Sequence, residues 1–190
     1  MAIPNSKMDP PVTRIESVSD THWGIEVADP YRWLEEEDST EVRLWFEKQG
    51  DYASQVLSKL PHREQILDRL TELDQSIPFS TFAVERLANG DIFYERRNAG
   101  ESLAKLFRLS ARSEDPELVL DPEILGDGKN PHYSLEVYRP SWDGRYVTYG
   151  VAQGGSEETT YHVIDLNSGE TLPDTLTNIE TAYNRPQWRL

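Results

Sequence analysis

Leu87-Ala-Asn-Gly-Asp-Ile-Phe-Tyr-Glu-Arg96 is the stretch on which the fold turns, and Ser141-Trp-Asp-Gly-Arg-Tyr-Val-Thr-Tyr-Gly150 echoes it 54 residues later. Asn89-Gly90 is a strong hairpin signal, because both residue types tolerate the positive φ that a two-residue turn demands. The flanking segments, Thr81–Leu87 and Ile92–Arg96, alternate as half-buried strands do. Carried further, the same shift lays Gly100 on Gly154, Ser102 on Ser156, Phe107 on Tyr161 and Leu109 on Val163 without a gap. A second echo joins Arg139-Pro-Ser-Trp142 to Arg185-Pro-Gln-Trp188. A period near 50 residues with about four short strands per unit is how a β-propeller blade looks in sequence.

The neighbouring segments fit the same unit. Leu103–Leu109, Leu118–Leu120, Tyr146–Tyr149 and Tyr161–Leu166 read as strands. Asp143-Gly144, Gln153-Gly-Gly-Ser156 and Asn167-Ser-Gly169 read as turns. Residues 76–190 therefore hold about two blades and the opening of a third, whereas a ring closes with roughly four to eight. Two blades leave sheet faces and edges without neighbours. The expected architecture is mainly β, a partial propeller, in a chain that is a piece of a longer protein or is completed by a partner.

Upstream, residues 1–75 read differently. The Pro-rich residues 1–20 are expected to be extended. Asp29-Pro30 favours a turn, because proline restricts the residue before it, and Trp23, Tyr31, Trp33 and Leu34 form an aromatic cluster that needs a surface to pack on. The acidic run Glu35-Glu-Glu-Asp38 reads as a solvated face leading into a helix. Asp38 is the expected N-cap, with Glu41 three residues on. Val42, Trp45, Phe46, Tyr52, Ala53, Val56, Leu57 and Leu60 follow at helical spacing. Pro61 suits the first turn of a second helix whose stripe is Ile66, Leu67, Leu70 and Leu73. The domain boundary is expected between residues 75 and 76.

Composition narrows the partners. The formal charge is −15, from 34 acidic and 19 basic residues, and such a field repels phosphate backbones, so nucleic acid is an unlikely partner. There is no cysteine, which removes disulfides and thiolate chemistry. The N-terminus lacks the apolar core of a signal peptide, and no apolar run has the length of a membrane span. A cytoplasmic protein without membrane contact is expected.

Local chemistry is sparse. His22, His62, His132 and His162 are far apart and give no His-x-His or His-x-x-x-His spacing, so no metal ligands are assigned. Ser156, His162 and Asp165 lie close in sequence, but a histidine and an aspartate three apart on one strand point to opposite faces. The loops at Gly100 and Gly154-Gly155 lack the strand-to-helix setting of a phosphate loop and read as plain turns.

Asp29-Pro-Tyr-Arg-Trp-Leu-Glu35 is the most specific motif in the chain. It follows Thr13-Arg14 and Asp20-Thr-His-Trp-Gly24 and precedes a helix carrying Trp45 and Gln49. With Leu120-Asp-Pro122, Ser141-Trp-Asp-Gly144, Gly154-Gly-Ser156, Asp165-Leu-Asn-Ser-Gly169 and Leu172-Pro-Asp174, it resembles the prolyl oligopeptidases over residues 12–190. The resemblance implies an N-terminal segment whose two helices pack on an α/β-hydrolase domain, a seven-bladed propeller, and a serine endopeptidase that cuts short peptides after proline, with the propeller limiting entry. It implies no cofactor and no metal. The partners it implies are the hydrolase domain, normally on the same chain, and short proline-containing peptides. The family's nucleophile pattern Gly-x-Ser-x-Gly does not occur here, so no catalytic, cofactor-binding or metal-ligating residue is carried over. Tyr183 falls near an aromatic that lines the substrate pocket in some relatives; a plain loop aromatic is the other reading. The alternative function is a non-catalytic interaction module that binds a partner or assembles with itself.

Overall fold

The computed structural model describes residues 9–126, 132–180 and 185–189. Two compact units divide the chain, Met1–Leu70 and Thr71–Leu190.

The first unit opens with strand β1 (Ser19–His22) paired antiparallel to β2 (Ile25–Ala28). The tight turn between them is Trp23-Gly24, both residues at positive φ, 49° and 82°. This hairpin falls in a stretch that the sequence reads only as an aromatic cluster. A short 3-10 turn, Arg32–Glu35, then buries Trp33. Its indole N–H donates to Arg14 O at 3.0 Å, and the Trp45 indole donates to Thr13 Oγ1 at 3.0 Å. The two rings meet edge-on with centroids 6.2 Å apart, so a pair of aromatic residues, each with its polar atom satisfied, laces the extended segment to helix α1 (Thr40–Ser58).

The helix starts differ from expectation. Ser39, not Asp38, caps α1: its hydroxyl accepts Glu41 N–H at 3.3 Å, while the Asp38 carboxylate is taken by Arg43 at 3.0 Å. Helix α2 (Arg63–Gln75) begins two residues after Pro61. His62 adopts a φ of 66° there, and its carbonyl accepts Ile66 N–H at 3.0 Å. Of the stripe on α1 only Val42 is fully buried, and Ile66, Leu67, Leu70 and Leu73 of α2 are all exposed.

The second unit carries two antiparallel sheets. The first runs in order β3 (Phe79–Arg86), β4 (Ile92–Asn98), β5 (Lys105–Leu109), β6 (Glu117–Leu120). In the second, β7 (Tyr133–Pro140), β8 (Tyr146–Gln153), β9 (Glu158–Asp165) and β10 (Glu170–Thr171) follow one another, with β11 (Leu176–Glu180) also on β9. These are two blades of a partial β-propeller. Phe93, Leu106 and Leu120 of one blade and Tyr138, Val147, Tyr149, Val151 and Ile164 of the other form a single buried cluster.

The 54-residue shift holds through the turn and the following strand, then slips. Ile92 pairs with Leu109, but Tyr146 pairs with Asp165, so the second hairpin is longer by two residues. An even slip leaves every side chain on its original face, which is why a gapless comparison still looked periodic. Strand β7 was not expected as a strand. Its alternation is broken by a bulge between Leu135 and Val137, and a bulge inserts a residue that spoils period-two patterning.

Candidate functional site

Where the two blades meet, chemistry and position coincide. Tyr138 projects from β7 and its hydroxyl donates to Ala83 O on β3. Ala83 sits in a bulge of β3 with φ of 46°, a conformation that costs a non-glycine residue about 1–2 kcal/mol and must be held by its surroundings. Next to Tyr138 on β7, Arg139 pairs with Glu85, two residues beyond Ala83 on β3. Burial pushes the Tyr138 phenol above its usual range, and the Glu95 charge adds to this. Burial likewise raises the Glu95 carboxyl, reinforced by the negative charge of Glu136.

The echoing tryptophan has a defined place. The Trp188 indole donates to Arg139 O at 2.9 Å and stacks on Tyr146 with centroids 6.0 Å apart. Arg86, Leu87, Pro140, Trp142, Gln187 and Trp188 help line a depression of about 290 Å³ at this end of the strands, with Trp142 63 % exposed.

The residues weighed for local chemistry are occupied separately. The Ser156 hydroxyl donates to Glu158 O at 3.3 Å. His162 stacks on Tyr149, and burial lowers its pKa. Asp165 is held by Arg145 at 2.9 Å and accepts Asn167 N–H at 2.9 Å. Gly154-Gly155 lies in the β8–β9 turn. His62 meets Gln65 and His22 lies beside Trp23. The His132 carbonyl accepts Gly154 N–H at 2.9 Å. Among the described residues no group of three or more His, Cys, Asp or Glu comes together as a metal site, and no helix is long and apolar enough to cross a membrane. Tyr183 lies outside the described residues. Tyr138, Ala83 and the Glu85–Arg139 pair were not found from sequence, because each depends on a partner about 55 residues away.

Two antiparallel sheets, of four and five strands, that share one buried cluster invite comparison with known propellers. The family model for the prolyl oligopeptidase N-terminal beta-propeller domain matches residues 10–189. The chain belongs to the prolyl oligopeptidase family. The prolyl endopeptidase of Elizabethkingia meningoseptica is 26 % identical over 175 residues, covering 90 % of this chain and 23 % of the relative. Dipeptidyl aminopeptidase BI of Pseudoxanthomonas mexicana is 26 % identical over 94 % of this chain and 27 % of its own length. A prolyl endopeptidase solved in a study of inter-domain dynamics in catalysis and specificity superposes with a TM-score of 0.76, at 35 % identity, over 89 % of this chain and 24 % of that one. Prolyl oligopeptidase B of Galerina marginata, bound to a 35-residue hydrolysis and macrocyclization substrate, shares the fold with a TM-score of 0.67 at 21 % identity, over 89 % of this chain and 26 % of that one. The chain thus spans about a quarter of the length of the prolyl oligopeptidase relatives it matches.

Proposed function

We propose that this chain supplies the opening blades of the propeller in a serine endopeptidase that cleaves short peptides after proline, and that the propeller restricts entry to the active site. The observation that carries this reading is the pair of stacked blades inside a family-model match running from residue 10 to residue 189. In this reading residues 1–75 form the segment that packs on an α/β-hydrolase domain, and residues 76–190 form the first blades. The nucleophile and its base come from that hydrolase domain, since Gly-x-Ser-x-Gly does not occur in these 190 residues.

Two measurements test it. The purified chain is expected to leave a Gly-Pro fluorogenic peptide uncut, and turnover abolished by a serine-directed inhibitor would overturn the division of labour. A chimera in which residues 10–189 replace the matching quarter of the Elizabethkingia meningoseptica enzyme is expected to keep post-proline cleavage. A folded chimera that cuts elsewhere, or not at all, would remove the substrate assignment.

The exposed apolar residues Phe79, Phe82 and Val84 on β3 favour a second reading, an interaction module that binds a partner or itself. Sedimentation separates the two. A monodisperse oligomer that unfolds cooperatively supports the module, and concentration-dependent aggregation supports the peptidase piece.

A further inference from the structure

The sequence places the break between helical and strand segments at Ser76-Ile-Pro78, where the period changes. In the structure those residues are tied down on both sides. The Ser76 N–H and hydroxyl donate to Leu73 O at 3.2 and 2.6 Å. Pro78 O accepts Ala99 N–H at 3.0 Å, and Phe79 already pairs with Asn98. The division between compact units lies earlier, at Leu70–Thr71, inside α2.

A line of charges explains why the last turn of α2 sides with the blade. Asp74 holds Arg97 of β4 through two contacts, 2.7 and 3.5 Å. Arg97 also donates to Glu101 O at 3.0 Å. The Glu101 carboxylate accepts Asn98 N–H at 2.9 Å and reaches Lys105 of β5 at 3.3 Å. Lys105 meets Asp121, just beyond β6, at 2.9 Å. Asp121 in turn accepts Glu123 N–H at 3.0 Å. Isolated surface pairs contribute little, but two-pronged arginine contacts and linked networks are the exception. Lys105 and Asp121 have side chains only 18 % and 15 % exposed, where solvent screens least.

We propose that Asp74, Arg97, Glu101, Lys105 and Asp121 form a clamp that makes the last turn of α2 part of the first blade. The inference goes beyond the peptidase reading and does not rest on it, but it moves the start of the blade unit from residue 76 back to Thr71.

Hydrogen exchange on the full 190-residue chain tests it, comparing wild type with Asp74→Asn, Arg97→Gln and the reversed pair Asp74→Arg/Arg97→Asp. Peptides covering 71–78 are expected to exchange about two- to fivefold faster in each single variant, the range a paired charge of this kind controls. Peptides from β8 and β9 are expected to stay unchanged, and the reversed pair is expected to recover most of the protection. Unchanged exchange at 71–78 in both single variants would overturn the clamp. So would equal acceleration across β8 and β9, because the pair would then support the fold as a whole.

Discussion

Asp91 and Asp165 close the two hairpins with mirrored chemistry. Asp91 accepts Ala111 N–H at 2.9 Å and pairs with Arg108 at 2.7 Å; Asp165 accepts Asn167 N–H at 2.9 Å and pairs with Arg145 at 2.9 Å. Arg145 occupies the position of Asp91 in the repeat, so acid and base have exchanged strands and no residue-by-residue match reveals the shared device. Burial alone would raise the Asp91 carboxyl, but Ala111 N–H, Arg108 and Asn89 outweigh it and hold it below the usual range. A depressed folded-state pKa contributes stability above about pH 4, lost as pH falls through the folded value. Asp91→Asn is therefore expected to cost about 1–3 kcal/mol at pH 7, a deficit that shrinks below pH 4 in urea melts. Gly150 marks a different constraint. A Cβ there would lie 2.6 Å from Thr159 Cγ2 and 2.8 Å from Tyr161 Cε1. Gly150→Val is expected to lower stability by about 1–3 kcal/mol through overpacking, read as a lower urea midpoint.

Elements differ sharply in how they are stabilised. The α helices present apolar stripes that are largely exposed, so local signals matter more for them. Removing the α1 cap by Ser39→Ala is expected to cost about 1 kcal/mol and to reduce the helical circular dichroism signal. The blade strands instead draw on the shared cluster, where Phe93 is wholly buried; Phe93→Ala is expected to cost about 3–5 kcal/mol. Glu95 on β4 runs against that trend. Its pKa is raised by burial and by Glu136, so its contribution is present below about pH 4 and is lost as pH rises through the folded value. Glu95→Gln is expected to raise the urea midpoint at pH 7 relative to wild type, with the gain vanishing near pH 4. An equal gain at both pH values would refute the role of its charge.

At the scale of the molecule, the net charge of −15 opposes self-association, while half-exposed Phe79 and Phe82 and exposed Val84 on β3 favour it. Replacing Phe82 with Ser and Val84 with Thr is expected to weaken concentration-dependent sedimentation without moving the urea midpoint. Most of the blade pattern was legible: six segments read as strands overlap β3, β4, β5, β6, β8 and β9. Strand β7 escaped because its bulge breaks alternation, and the β1–β2 hairpin escaped because a tryptophan at positive φ is not a usual turn signal. The inter-blade site was hidden for another reason. Tyr138 reveals nothing by itself until the other blade supplies the carbonyl it bonds.

Turn glycines, strand periodicity and the Asp29–Glu35 motif are local or repeat at fixed spacing, and for that reason sequence alone determined the blade architecture and the family resemblance. The partner of each polar group was decided only when the chain closed on itself. Arg97 finds Asp74, Tyr138 finds Ala83 and Trp188 finds Arg139 across loops whose geometry no local preference encodes. A hydrogen bond demands a particular distance and direction, and only packed sheets set both.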